Sequence, residues 1–279
     1  MKISFCSIAF RKNQSSLREI IPRLAHLGYD GLEIWGNHLS GGIAQAREIK
    51  KCSDKFGLRI PMISPYFNFT GSRENWAKSL SEADRLVELA MVLEAPLIRV
   101  FTGVVGSKEA DRNQWENCVQ GIRELAIMAS EKGIRLALET HPSTLVDTVD
   151  STLALLEKVQ AENLKVNLDI YHLWEVHQDP LRVLNLLYPH VAHVHAKNAF
   201  FSQVIRGKEP HPFLHDQQAA QEFSGIAPLK AGEMKYEPFL KELVRRKFSG
   251  FVSVEWFGDN IFERAELDLA YLRQFTPAN

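Results

Sequence analysis

The sequence predicts a (β/α)8 TIM barrel, and three observations lead there. Apolar stretches with the two-residue period of a strand alternate eight times with stretches of helical period. No linker or shift of composition interrupts the series, so residues 1–279 read as one barrel domain, near the roughly 250 residues usual for that fold. Four of the later strands stop at a residue able to bind a hard or borderline cation: LALETHP (136–142), VNLDIYH (166–172), AHVHAKN (192–198) and VSVEWFG (252–258). Parallel strands that close into a barrel bring such ends to one mouth. A doubly wound open sheet is the rival architecture, but the loop after the first strand, IAFRKNQ, lacks the glycine-rich phosphate fingerprint of such sheets.

The first strand spans 3–8, and a helix over 17–27 stops at Gly28. GLEIWG (31–36) is the second strand, with Glu33 and Trp35 on one face, and its helix covers 43–56 and ends at Gly57. The third strand, LRIPMIS (58–64), contains Pro61, which cannot donate in a central ladder. A long helix over 73–93 shows the apolar stripe Leu80, Ala83, Val87 and Ala90. LIRVF (97–101) sets Arg99 and Phe101 on one side and precedes a helix over 114–132. IRLALE (134–139) runs into HPSTLVDTVDST, where Asp150 reads as the N-cap of a helix over 151–160. LKVNLD (164–169) is followed by a helix over 180–188, and VAHVHAK (191–197) is the seventh strand. From 198 to 232 the periodicity fails; so long an irregular stretch after a catalytic strand reads as an active-site lid. A helix over 238–246, the strand FVSVEWF (251–257) and a helix over 262–274 complete the series.

With 33 Lys+Arg against 34 Asp+Glu, the formal charge of -1 gives no global field to attract nucleic acid or an anionic membrane. A small anionic substrate needs only a local Arg or Lys. Cys6, Cys52 and Cys118 form no CxxC and suit small buried hydrophobes in a reducing compartment. No apolar run reaches the roughly 18 residues of a membrane-spanning helix, and MKISFCSIAFRKN lacks the pattern of a signal peptide, so a cytoplasmic protein is expected. Assembly is not legible; a homodimer is open to it.

Glu139, Asp169, His195 and Glu255 form the candidate metal set. A lone acid at a strand end is ordinarily a helix cap or a surface charge, but four such ends in nearly successive units make a shared ion the better explanation. Three carboxylates with one imidazole and no thiolate suit Mn²⁺ first and Mg²⁺ second, with Co²⁺ or Zn²⁺ as alternatives. Without a cation, gathered carboxylates would repel one another and raise their pKa values. His141, two positions past Glu139, and His172, three past Asp169, are placed to act as base, acid or partner of a ligand; a structural imidazole is the competing use. Lys197 has the parity of His193 and His195, and with Arg99 it would bind a substrate carboxylate. Glu33 would orient a histidine or bind a hydroxyl, and Tyr66 offers a phenol at the rim. Trp35, Phe101, Trp174, Trp256 and Phe257 would wall a pocket for a flat, ring-sized molecule, while His211 and His215 in the lid have no assigned role.

On these residues the chain resembles the xylose isomerase-like, sugar-phosphate isomerase/epimerase barrels, and among them the metal-dependent 3-dehydroshikimate dehydratases of siderophore-type catecholate synthesis. The segments that carry the resemblance are FCSIAFR (5–11), GLEIWGNH (31–38), ETHPSTLVDTVDSTLALL (139–156), NLDIYHLWE (167–175), HVHAKN (193–198) and VEWFGDN (254–260). His141, His172, Lys197 and Arg99, with TxxDTxxST after ETHP, point to the dehydratases. Pro65 stands where that family leads one to expect an acid, and 200–224 does not match. The resemblance implies a lyase that turns 3-dehydroshikimate into protocatechuate and water through an enediolate, with one divalent ion on Glu139, Asp169, His195 and Glu255. It implies His141 as the base, with His172 and Lys197 also in the catalytic group, and a substrate held by Arg99, Tyr66, Glu33, Lys197, His172 and Phe257. The alternative is a ketose 3-epimerase or sugar isomerase with Glu139 and Glu255 as paired bases, which would have less use for Arg99 and Lys197 together; an inosose-type dehydratase lies between the two. A DNA-repair endonuclease of the same broad group would need a richer histidine cluster and a basic surface. A non-enzymatic sugar or acid sensor would leave the same footprint without turnover.

Overall fold

The computed structural model describes residues 1–12, 16–200 and 225–276. Eight strands form a closed parallel barrel: β1 (Lys2–Cys6), β2 (Gly31–Trp35), β3 (Ile63–Ser64), β4 (Leu97–Val100), β5 (Arg135–Glu139), β6 (Leu164–Asp169), β7 (Val191–Ala196) and β10 (Phe251–Val254), closed by the pairing of β1 with β10. Between them run α1 (Leu17–Leu27), α2 (Gly42–Phe56), α3 (Arg73–Leu93), α4 (Arg112–Glu131), α5 (Val149–Val159), α6 (Ile170–Glu175), α7 (Pro180–Leu187) and α8 (Tyr236–Arg245), and α9 (Ile261–Arg273) follows the last strand. The predicted fold is the observed one.

Local chemistry explains the boundaries. Gly28 and Gly57 end α1 and α2 in the left-handed region, at φ 98° and 67°, where a side chain would be strained. α8 buries Tyr236, Phe239, Leu240 and Leu243, the spacing that lays one stripe of a helix on the barrel wall. The resulting core is a continuous layer between the outer face of the strands and the helices.

Three expectations are corrected. The third strand keeps only Ile63–Ser64: Pro61 has no N–H for the ladder, and upstream only Arg59 makes a single bridge to Gly31. A side chain on Gly31 would meet the Phe251 ring at 2.8 Å and the Arg59 carbonyl at 2.9 Å, so the close approach there requires glycine. The cap of α5 is Thr148 instead of Asp150; the extended Thr148 accepts from the Ser151 N–H at 3.1 Å, and Asp150 falls inside the first turn. Finally, α6 begins immediately after Asp169, in a stretch where no helix was expected. The expected lid, with His211 and His215, lies mostly outside the described residues; at its ends β8 (Asn198–Ala199) and β9 (Ile226–Ala227) pair antiparallel.

Candidate metal centre and active site

The two-residue period of the strands sends Glu139, Asp169 and His195 into the barrel at its carboxyl end, and Glu255 follows directly after β10. Asp169 pairs in register with His195, and the Glu255 N–H donates to the Ala196 carbonyl at 3.0 Å. Ligand atoms of all four buried residues lie within 4.8 Å of one another. His195 Nδ1 is 3.4 Å from Glu139 Oε1, 3.5 Å from Glu255 Oε1 and 3.8 Å from Asp169 Oδ2. Its Nε2 donates to the Glu33 carboxylate at 2.9 Å, and this bond selects the tautomer whose Nδ1 carries a lone pair.

That Nδ1 is buried and without a hydrogen-bond partner, aimed at three carboxylates. Such an arrangement attracts a positive charge. Burial opposes protonation, yet Glu255, Glu33 and Glu139 together hold His195 well above its ordinary pKa. A cation on Nδ1 and the carboxylates meets the same demand, with Glu33 in the supporting position that metal-bound histidines use. Charge agrees: Glu33, Glu139, Asp169 and Glu255 face Arg99 and Lys197, which leaves two negative charges while the imidazoles are neutral. The residues fit a divalent ion.

Arg99 and Lys197, expected to hold a substrate carboxylate, are both tied to the ligand carboxylates. Arg99 Nη1 donates to Glu139 Oε2 at 2.8 Å, and its Nη2 bonds the Pro65 carbonyl at 3.1 Å. The guanidinium lies over the Tyr66 ring at 4.4 Å and the Phe101 ring at 4.8 Å. Lys197 Nζ bonds Asp169 and, at 2.7 Å, Glu255. These two cations offset part of the expected repulsion. Although burial pushes up, Arg99 holds Glu139 well below the usual carboxylate range. Asp169 rises to about 6, because burial, aided by Glu255 and Glu139, outweighs Lys197.

A small cavity above the cluster is lined by Tyr66, Arg99, Phe101, Glu139, His141, His172, Lys197, Glu255 and Phe257. All the expected catalytic residues are there. His141 Nδ1 bonds the Pro142 carbonyl at 2.7 Å, and the residue lines the cavity; its ring centroid is 4.1 Å from that of His172. The loop bearing His141 is tied to Thr102, whose hydroxyl accepts from the Leu145 N–H at 2.9 Å. Glu33 is not among the lining residues. It lies one layer below, bonded to Ser64, His193 and His195, so its contacts match the histidine-orienting use. Of the five expected aromatics only Phe101 and Phe257 face the cavity; Trp35 stands edge-on to His38, and Trp256 donates to the Asp259 carbonyl at 2.8 Å.

The sequence reading missed Glu175. Its carboxylate bonds His172 Nδ1 from one turn further along α6. The signal available was the His-x-x-Glu spacing in YHLWE, which places both side chains on one face only if the segment is helical.

A family model described as xylose isomerase-like TIM barrel matches residues 21–275. Over 265 residues the chain is 34% identical to a 3-dehydroshikimate dehydratase of Bacillus anthracis, covering 93% of this chain and 92% of that one. It superposes on the crystal structure of a probable 3-DHS dehydratase involved in petrobactin synthesis from the same organism with a TM-score of 0.86 and 31% identity, over 98% and 99% of the two chains. An inosose dehydratase of Clostridium beijerinckii is 26% identical over 299 aligned positions, 99% of this chain and 97% of that one.

Proposed function

Because the chain belongs to the xylose isomerase-like TIM barrel family, we propose that it is a metal-dependent 3-dehydroshikimate dehydratase, a lyase that forms protocatechuate and water. The observation that carries this reading is a four-ligand cluster opening on a cavity that also contains His141, His172, Arg99 and Lys197, in a chain similar to a dehydratase of that name along nearly its whole length. Glu139, Asp169, His195 and Glu255 would hold one divalent ion, Mn²⁺ before Mg²⁺, Co²⁺ or Zn²⁺. When bound, such an ion supplies Lewis-acid polarisation of a ketone and a neighbouring hydroxyl.

The residues of the chain do the rest. His141, its Nδ1 fixed on Pro142, takes the proton from the hydroxyl-bearing carbon beside the ketone through Nε2, which leaves an enediolate. The carbon–oxygen bond to the β-hydroxyl then breaks, and the hydroxyl leaves as water with a proton from His172 Nε2. The ketone re-forms, and a proton shift from the ring methylene to its oxygen completes the aromatic ring. Arg99 and Lys197 are the cations at hand for the substrate carboxylate, with Tyr66 and Phe257 as walls; Glu33 acts from below by orienting His195.

The proposal extends to a single barrel domain over 1–279 that works in the cytoplasm on a small anionic substrate, not on nucleic acid or membrane, with a homodimer as the assembly open to it. No described helix is long and apolar enough to cross a membrane, and the formal charge of -1 supports no broad anionic partner.

The test is incubation of Mn²⁺-reconstituted protein with 3-dehydroshikimate and, in parallel, with an inosose, fructose and tagatose. Catechol absorbance should rise with the first substrate alone. Epimerised sugar, or a dehydrated inosose, without protocatechuate would overturn the reading.

A further inference from the structure

Glu175 lies outside the cavity lining, yet it is only 7% exposed and its carboxylate meets His172 Nδ1. A carboxyl group buried this deeply needs hydrogen bonding, and the imidazole supplies it at Nδ1. Both residues sit on α6, which Asp169 caps: Asp169 Oδ1 accepts the His172 N–H at 3.3 Å. Described residues therefore hold His172 at both its backbone and its ring. Its backbone is anchored to a candidate metal ligand, and its ring is anchored to Glu175. With Nδ1 so engaged, Nε2 is turned to the mouth, 3.7 Å from Asp169 Oδ2.

We infer that Glu175 is the positioning residue of His172: it pins Nδ1, and so fixes the ring orientation and tautomer that present Nε2 to the leaving hydroxyl. The inference rests on the dehydratase reading for its kinetic consequence. Its structural content stands apart from that reading. Torsion about the bond to an imidazole ring is broad and roughly two-fold, so a ring without this anchor would sample the flipped orientation with Nδ1 toward the cavity. The His-x-x-Glu spacing makes the contact inside six residues of helix, with no need of a distant element. Burial pushes Glu175 up to about 8, against the pull of Lys197, which fits a carboxyl group kept from solvent beside His172 Nδ1.

The experiment uses full-length, Mn²⁺-loaded protein as wild type, Glu175→Gln, Glu175→Ala, His172→Ala and the double variant, each with its metal content measured. Glu175→Ala should lower kcat for 3-dehydroshikimate about 10–100-fold, as removal of an outer partner of a site histidine commonly does, with KM almost unchanged. In the His172→Ala background the same substitution should cost nothing further, since a residue acting only through His172 has no effect once His172 is gone. Glu175→Gln keeps a hydrogen-bond donor of similar size for Nδ1 and should recover most of the loss. Imidazole ¹⁵N spectra, which need no substrate, should show the proton of His172 on Nε2 in the wild type, with Nδ1 held by the Glu175 carboxyl, and on a mixture of nitrogens in Glu175→Ala. Equal losses with and without His172, or an unchanged His172 signature in Glu175→Ala, would overturn the inference. A wild type that leaves 3-dehydroshikimate untouched would instead sink the functional reading, and the ¹⁵N comparison would still decide this one.

Discussion

The floor and the mouth of the barrel are built from the same strands, two residues apart. Leu97 lies below Arg99 on β4, Ala137 below Glu139 on β5, Asn167 below Asp169 on β6, and Ser253 below Glu255 at the end of β10. At the floor, Met62, Leu97 and Ala137 form an apolar cluster, and the hydroxyls of Ser4 and Ser253 bond each other at 2.5 Å. At the mouth, carboxylates, a guanidinium and an ammonium are buried just as deeply. Burying charge costs far more than burying leucine, and pairing recovers only part of that cost. The mouth is thus held in place by the remainder of the molecule and contributes little to its stability. Changes there that leave the buried ion pairs intact should alter turnover and spare folding, and changes at the floor should do the reverse.

The largest effect expected is on activity, from the mouth. Stripping divalent ions with a chelator should lower protocatechuate formation by at least about a thousandfold, reversibly on adding Mn²⁺, while far-ultraviolet circular dichroism stays the same. Full activity after exhaustive chelation would break the contrast at its root. His141→Ala comes next: a loss of about 10²–10⁴ in kcat is the usual contribution of a positioned base. Its metal content should match the wild type, because His141 is not one of the four clustered ligands and its Nδ1 bonds the Pro142 carbonyl.

The mouth was more legible in the sequence than its rim. Strand parity and position placed Glu139, Asp169, His195, Glu255, Lys197 and Arg99 on one end, since a period of two leaves a residue only two faces to choose from. Parity does not say which oxygen a cation will reach, so Arg99 and Lys197 were expected on substrate and are found on Glu139, Asp169 and Glu255. Glu175 was missed because α6 has six residues, too few for a helical period to stand out from the strand before it. Pro61 did flag the weakest strand: a missing donor is a covalent fact, readable without context.

At the floor, Met62→Ala should cost about 2–5 kcal/mol in denaturant unfolding, the usual range for emptying a fully buried site of that size. Turnover per folded molecule should stay close to wild type. A large loss of kcat at unchanged stability would show that floor and mouth are coupled and that the division drawn above is wrong.

The smallest effect on activity is expected at Asp268, a carboxylate on α9, and it sharpens what the mouth's cations do. Asp268 is 2% exposed and accepts the Leu229 N–H at 2.9 Å. Burial raises its pKa from 3.8 to about 6, with the Leu229 bond and Arg264 only partly opposing. Glu139, equally buried but bonded to Arg99, shifts the other way. A carboxyl whose folded pKa is raised binds its proton more tightly in the native state. Its contribution is therefore fully present below the unfolded pKa and is lost as pH climbs from about 4 to about 6, by roughly 3 kcal/mol at about 1.4 kcal/mol per unit. Asp268→Asn keeps the acceptor for Leu229 and carries no charge to desolvate. Relative to wild type it should gain stability between pH 4.5 and pH 7.5, by up to that amount in urea unfolding, with kcat unaltered. A difference that stays constant across this range would mean that Asp268 is already relieved of its burial cost in the native state. The countercharges at the mouth would then not be what sets Glu139 apart.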